Sequence, residues 1–207
     1  MTKTVILANG EFPKKQRVLN VLKTAEIIIC CDGATQNLLN FGLQPSVIIG
    51  DMDSLPIEIQ IKHKDKIIKN TDQNTNDLTK AINWCVDNKI NDVIIVGATG
   101  KREDHTIANI ALLGRYINLL NVKIITDYGE FIPITKTTKF DSHKGQQVSV
   151  FTITPDIEIS SQGLKYPLDN LKLLSWWMGT LNESLGNEFS LSFTGKGIFI
   201  IYLTKDF

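Results

Sequence analysis

Over residues 1–130, short apolar and β-branched runs take turns with segments whose apolar residues recur at helical spacing. No other feature restricts the fold as much. The runs lie at residues 5–8, 27–31, 47–49, 66–68, 93–96 and 122–126, with 66–68 the weakest. The run at 47–49 is β-branched and does not alternate polar with apolar, so it is expected to be a strand covered on both faces, and 27–31 another buried strand. Between them, Val18, Leu22 and Ala25 form one helical face, and Leu38, Leu39 and Phe41 form a second that Gly42 closes. Pro56 opens a third helix. Leu78, Ala81, Ile82, Cys85 and Val86 mark a fourth, with Thr75 or Asn76 as its N-cap, and Ile107, Ala108, Ala111 and Leu112 mark a fifth. Strand–helix alternation of this kind predicts a mostly parallel sheet flanked by helices, an α/β fold.

The pattern changes after Thr126. Short runs at 148–153, 157–159, 171–174, 190–193 and 198–203 follow one another with glycine, proline and asparagine turns between them and no helical periodicity. They predict a C-terminal antiparallel β-sandwich of about 70 residues, which buries little by itself and is expected to dock on something. The chain therefore divides into an α/β domain, 1–130, and a β-sandwich domain, 131–207.

Carboxylates gather at the carboxyl ends of the predicted parallel strands, where open α/β sheets bind ligands. In Gly50-Asp51-Met52-Asp53-Ser54-Leu55 two acids leave one strand a residue apart, an arrangement that a shared hard cation such as Mg²⁺ relieves. Asp and Ser are also ordinary turn residues, so the motif alone fits a solvated turn. Recurrence separates the readings. Asp32 ends another strand, and Asp72 and Asp77 flank the polar loop before the fourth helix. Without a cation these groups would repel one another by several kcal/mol in a partly desolvated cleft.

Gly97-Ala98-Thr99-Gly100, followed by Lys101, Arg102 and a helix, offers backbone N–H groups and cations to a phosphate, or is a plain strand-to-helix turn built on left-handed glycines. It matches neither of the two common glycine-rich phosphate motifs. Asp104 and His105 form a candidate N-cap pair. His105 has no second ligand at helical spacing, so a structural or orienting role is expected for it rather than metal ligation.

Composition narrows the function classes. Lys plus Arg and Asp plus Glu each number 22, so no nucleic-acid partner is indicated. No apolar run approaches membrane-spanning length, and the first residues lack the apolar core and cleavage site of a signal peptide. Cys30, Cys31 and Cys85 lie in apolar surroundings without paired spacing, as buried free thiols would, and a cytoplasmic location is expected.

The series Asp32-Gly33-Ala34, Gly50 to Leu55, Asp72-Gln73-Asn74-Thr75-Asn76-Asp77-Leu78-Thr79-Lys80-Ala81, Gly97 to His105 and Gly163-Leu164-Lys165-Tyr166-Pro167-Leu168 closely resembles thiamine pyrophosphokinases, in order and over nearly the whole chain. The resemblance implies a homodimer that moves the β,γ-diphosphate of ATP to the hydroxyl of thiamine, giving thiamine diphosphate and AMP. It implies that Asp51, Asp53 and Asp77 hold Mg²⁺ on the ATP phosphates with Asp32 nearby. Gly33, Gly97, Gly100 and Arg102 would contact the nucleotide, while Gln73 and Asp104 would line the thiamine and phosphate region. Tyr166 and Asn182 would contact thiamine, in a site at the dimer interface. Asp77 or Asp104 is the candidate acceptor for the hydroxyl proton, and Asp51 and Asp53 complete the catalytic set.

Three departures stand out. Lys101 occupies a position where the family often has glycine, adding a cation beside Arg102. Gly179-Thr180-Leu181-Asn182-Glu183-Ser184 lacks a hydroxyl usual in the thiamine-side motif, and Asn187-Glu188-Phe189 leaves its register open. Trp176 and Trp177 fit a core or dimer-interface role better than a substrate stack. Two other functions stay open: a diphosphokinase for another small alcohol such as a pterin, and a non-catalytic nucleotide sensor.

Overall fold

Val5 and Leu7 of the first strand and Ile28 and Cys30 of the second turn one face toward Val18, Leu22, Ala34 and Leu38 of the first two helices, forming a continuous apolar layer. The alternate residues Ile6 and Ile29 point to the other face and are equally buried. Burial on both faces is what the uninterrupted apolar runs dictated. The computed structural model describes residues 3–205.

Two compact units divide the chain. One runs through Leu112 and includes Asn118–Asp127; the other comprises Leu113–Ile117 and the chain from Tyr128 onward. The first unit contains β1 (Thr4–Leu7), α1 (Gln16–Lys23), β2 (Ile27–Cys31), α2 (Ala34–Asn40), β3 (Val47–Gly50), α3 (Ile57–Lys62), β4 (Ile67–Lys69), α4 (Asp77–Asp87), β5 (Asp92–Val96) and β6 (Asn121–Ile125). Helix α5 (Glu103–Tyr116) begins in it. Its strands pair in parallel in the order β6-β5-β1-β2-β3-β4. From β1 the chain builds outward through β4, then returns to the other side of β1 with β5. The order therefore reverses between β1 and β5, and a crevice opens at their carboxyl ends. Helix α4 packs on β2 and β3 with Ala81, Ile82 and Cys85 fully buried, and Asn76 caps it by accepting the Thr79 N–H at 2.9 Å.

The second unit contains β7 (Gly129–Ile134), β8 (Thr138–Asp141), β9 (Gln147–Thr152), β10 (Glu158–Gln162), β11 (Leu171–Lys172), β12 (Asn182–Glu183), β13 (Glu188–Phe193) and β14 (Phe199–Thr204), with a 3₁₀ turn at Trp176–Gly179. Strands β12-β9-β14-β7 pair antiparallel, as do β11-β10-β13-β8. Val148, Val150, Ile201 and Leu203 of one layer share a core with Phe140, Ile159, Phe189 and Leu191 of the other. This is the expected sandwich.

Several expectations shift in detail. Strand β7 begins at Gly129, just after the pattern change at Thr126 and ahead of the first run read from the sequence; Pro133 stands inside it, paired with Ile200, although proline ordinarily discourages a strand. Strand β8 has Phe140 as its only large apolar residue and carried no readable period. The two tryptophans diverge: Trp176 is partly buried and donates to the Thr152 carbonyl at 3.0 Å, while Trp177 is 74 % exposed. All three cysteines are free and buried.

Candidate active site at the carboxyl edge of the parallel sheet

At the reversal point the loops after β1 and β5 touch. Gly10 donates its N–H to the Gly97 carbonyl at 2.7 Å, and a Cβ at Gly10 would stand 2.4 Å from both Gly97 O and Thr99 O. Only glycine permits this approach. Gly97 and Gly100 adopt positive φ, as expected of that turn, and so does Lys101, at +60°. The loops frame a cavity of about 350 Å³ whose lining includes Asn9, Ser54, Asp77, Lys101, Arg102 and His105.

Beside it lie the acids. Asp32, Asp51 and Asp53 each present a carboxylate oxygen within 4.8 Å of the other two. The loop after β3 brings them together through Met52, which takes φ +71° and buries its side chain with Ile48 and Leu55, leaving its acidic neighbours outside that apolar cluster. Asp51 accepts the Asp53 N–H at 3.2 Å, and this bond, aided by Gln73, holds its carboxyl below the usual range. Asp53 accepts from the Ser54 hydroxyl at 2.8 Å.

Asp32 differs from both. It is 2 % exposed, Oδ2 accepts the Ser54 N–H at 3.1 Å, and Oδ1 is buried with no partner. Burial pushes its carboxyl up to about 6, against the Ser54 bond and with help from Asp53 and Asp77. Three carboxylates, one of which also keeps a buried unpartnered oxygen, form a donor set suited to a small divalent cation.

Asp77 stands close by but is occupied differently. A Cβ on Gly50 would lie 2.8 Å from the Asp32 Cβ and 3.2 Å from the Asp77 carboxylate, so the two acids crowd the same glycine. Asp77 pairs with Lys80 at 3.0 Å, and Lys80 is 5 % exposed. Asp72 is used within its own loop, accepting from Asn74 and Thr75, which lowers its carboxyl. It does not join the trio, so the convergence expected of five carboxylates centres on three with Asp77 adjacent. Gln73 reaches Asp51 and the Thr71 carbonyl only at 3.4 Å each.

On the far wall Arg102 forks onto Asp104 through Nε and one terminal nitrogen. That pairing brings the Asp104 carboxyl down to about 2 and raises the guanidinium. Asp104 lies inside the first turn of α5, bonded to Arg102 and to the His105 N–H, so it does not cap the helix with His105 as expected. Asn9, Lys80 and Asn109 were not singled out from the sequence. Asn109 donates to the Ala98 carbonyl at 2.8 Å, and Asn9 receives Lys101. Single asparagines in polar loops carry no periodic signal; Lys80 sits among the buried residues of an amphipathic helix, where its charge alone could have marked it.

In the second unit Asn182 is buried and grips the backbone of Tyr166, accepting its N–H at 3.1 Å and donating to its carbonyl at 2.6 Å. The Tyr166 ring is 59 % exposed, with the Lys165 ammonium 5.8 Å from its centroid. Leu181, the departed residue of the motif, takes φ +59° and is 79 % exposed.

Residues 18–126 match the family described as thiamin pyrophosphokinase, catalytic domain, and residues 129–202 match its substrate-binding domain. The chain is 27 % identical to thiamin pyrophosphokinase 1 of Caenorhabditis elegans over 96 % of its own length and 88 % of the relative's. It is 29 % identical to thiamine pyrophosphokinase of Bacillus subtilis, over 84 % and 86 %. Its fold is shared with the crystal structure of the B. subtilis protein (TM-score 0.80, 24 % identity, 99 % and 100 % coverage) and with that of a thiamin pyrophosphokinase family protein from Enterococcus faecalis (0.81, 19 %, 99 % and 99 %).

Proposed function

The chain belongs to the thiamin pyrophosphokinase family, and on that premise we propose that it transfers the β,γ-diphosphate of ATP to the hydroxyl of thiamine, giving thiamine diphosphate and AMP. It is a thiamine diphosphokinase. The observation that carries the reading is that the part of the chain matching the family's catalytic domain holds the acidic trio and most of the cavity's lining, Lys101 and Arg102 included.

The hydroxyl oxygen attacks the β-phosphorus, the bond from that phosphorus to the α,β-bridging oxygen breaks, and AMP departs with the bridging oxygen. Such transfers need positioning and charge neutralisation more than a covalent catalyst. Asp32, Asp51 and Asp53 would hold Mg²⁺, with Asp77 next to them. When bound, Mg²⁺ supplies neutralisation of the phosphate oxygens. Arg102 and the N–H groups of the Gly97 to Gly100 turn bind phosphate. Asp77, on the cavity wall, accepts the hydroxyl proton; Asp104, held near 2 by Arg102, is the poorer base.

Thiamine contacts fall to Tyr166, and we assign the working form as a homodimer in which a partner subunit completes that wall. The exposed apolar group Tyr166, Leu174, Trp177, Leu181 and Leu185 supports this assignment. Three free buried thiols support a reducing, cytoplasmic setting, and among the described residues no helix is long and apolar enough to cross a membrane.

The test is purified protein with ATP, Mg²⁺ and thiamine, following AMP and thiamine diphosphate together beside a no-thiamine control. Equal formation of both products is expected. AMP formed only with another alcohol would move the assignment to a different acceptor, and nucleotide binding without turnover would make the protein a sensor.

A further inference from the structure

Three charged side chains line the cavity: Asp77, Lys101 and Arg102. Two of them are matched. Asp77 has Lys80, and Arg102 has Asp104. Lys101 instead directs Nζ at two neutral oxygens, the Asn9 carbonyl and Asn9 Oδ1, each 3.1 Å away. Among the described residues no carboxylate pairs with it. An ammonium has three donors, and Asn9 takes two of them. The cavity wall thus carries one positive charge that the protein does not neutralise, at the crevice where the strand order reverses.

The backbone at Lys101 supports a chemical role for the side chain. Its φ of +60° is strained for a residue with a Cβ and free of strain for glycine, and such strain persists mainly where the side chain has work that offsets it. The bond to Asn9 also ties the β5 loop to the β1 loop across the cavity, so an anion meeting Nζ would engage both.

We propose that Lys101 recognises the polyphosphate of the nucleotide, its ammonium contacting the phosphoryl groups beyond the first, so that it favours the triphosphate donor over the monophosphate product. The inference rests on the reading that ATP is the donor. It gives the residue a part in product release, since AMP lacks the groups that Lys101 binds.

The test compares Lys101→Met, Lys101→Gly and Lys101→Arg with the wild-type protein, measuring calorimetric Kd values for α,β-methylene-ATP and for AMP in the presence of Mg²⁺. The Met and Gly variants are expected to bind the triphosphate analogue about five- to tenfold more weakly, the size of one partly exposed charge-assisted contact, with AMP affinity changed by less than about twofold. Arg should restore most of the loss. Equal losses in Met and Gly separate the charge from the backbone, because Gly also relieves the positive φ. The inference is overturned by an unchanged analogue affinity in both variants, by equal weakening toward analogue and AMP, or by failure of Arg to rescue. Wild-type turnover with thiamine is measured alongside. Turnover with variants that bind like wild type sinks Lys101 alone; no turnover with a selective loss of analogue binding keeps Lys101 and sinks the acceptor; no analogue binding by wild type sinks both.

Discussion

The ammonium of Lys80, almost entirely buried in the first turns of α4, lies 3.0 Å from Oδ1 of Asp77, the acid next to the trio. It offsets part of the repulsion that would otherwise oppose folding of the metal-free protein. Lys80→Met should lower stability by about 1–3 kcal/mol, less than a fully buried pair would cost because Asp77 keeps some solvent contact. The same variant should gain more in Tm from added Mg²⁺ than wild type does, since a bound cation replaces the lost charge. Thermal unfolding with and without Mg²⁺ checks both; an equal Mg²⁺ increment in the two proteins would refute the electrostatic role.

Asp32 gives a pH dependence of defined sign. Its carboxyl is raised from 3.8 to about 6, chiefly by burial. Between those values the folded protein keeps a proton that the unfolded chain has released, so metal-free stability falls as pH rises from about 4 to about 6 and levels off above. The total is on the order of 2–3 kcal/mol. Asp32→Asn removes this penalty while retaining an acceptor for the Ser54 N–H. In EDTA at pH 7.5 the variant should unfold at higher denaturant than wild type, the two converging toward pH 4, and with ATP and thiamine its turnover should be largely lost. A variant less stable than wild type at pH 7.5 would show that Asp32 is not a desolvated charge.

Gly50 is where the sheet and the acids meet. At φ +158°, with a Cβ placed 2.8 Å from the Asp32 Cβ and 3.2 Å from the Asp77 carboxylate, alanine would force the two acids apart. Gly50→Ala should cost about 1–3 kcal/mol and weaken Mg²⁺ binding, seen as a raised half-saturating Mg²⁺ concentration for activity. Normal Mg²⁺ dependence would mean that the acids shift without consequence.

Much of this was legible in the chain. Apolar runs announced the strands, and β1 to β6 lie within a residue or two of where those runs placed them, though the edge strand β4 leaves Ile68 exposed. Asn76 was one of two expected caps and is the one that bonds Thr79. The acidic residues could be placed at strand ends because strand ends are local. Their grouping could not: Asp32 joins Asp51 and Asp53 because β2 and β3 are neighbours, whereas Asp77 is drawn to Lys80 three residues on, a helical pairing that competes with the cluster. Asn9 was invisible because its role depends on β1 lying beside β5, a contact across nearly ninety residues of sequence. Short strands such as β12 at Asn182–Glu183 have no period to read.

Asn182 shows how a residue read as a substrate contact can work through another. Both ends of its amide are spent on the Tyr166 backbone, so the ring rather than the amide is available to a ligand. Asn182→Ala takes the side-chain partner from the Tyr166 N–H and carbonyl and from the Glu183 N–H and should cost about 1–3 kcal/mol. Under the proposed function it should also raise KM for thiamine several-fold while KM for ATP stays within about twofold, the split expected of a displaced thiamine wall. Asn182→Asp keeps the acceptor for the Tyr166 N–H but loses the donor to its carbonyl and should fall between wild type and alanine on both scales. Steady-state kinetics with each substrate varied in turn, beside thermal unfolding, reads the two effects separately. If Asn182→Ala loses stability but leaves KM for thiamine unchanged, Tyr166 is not part of the thiamine site, and the exposed ring serves only the surface on which it sits.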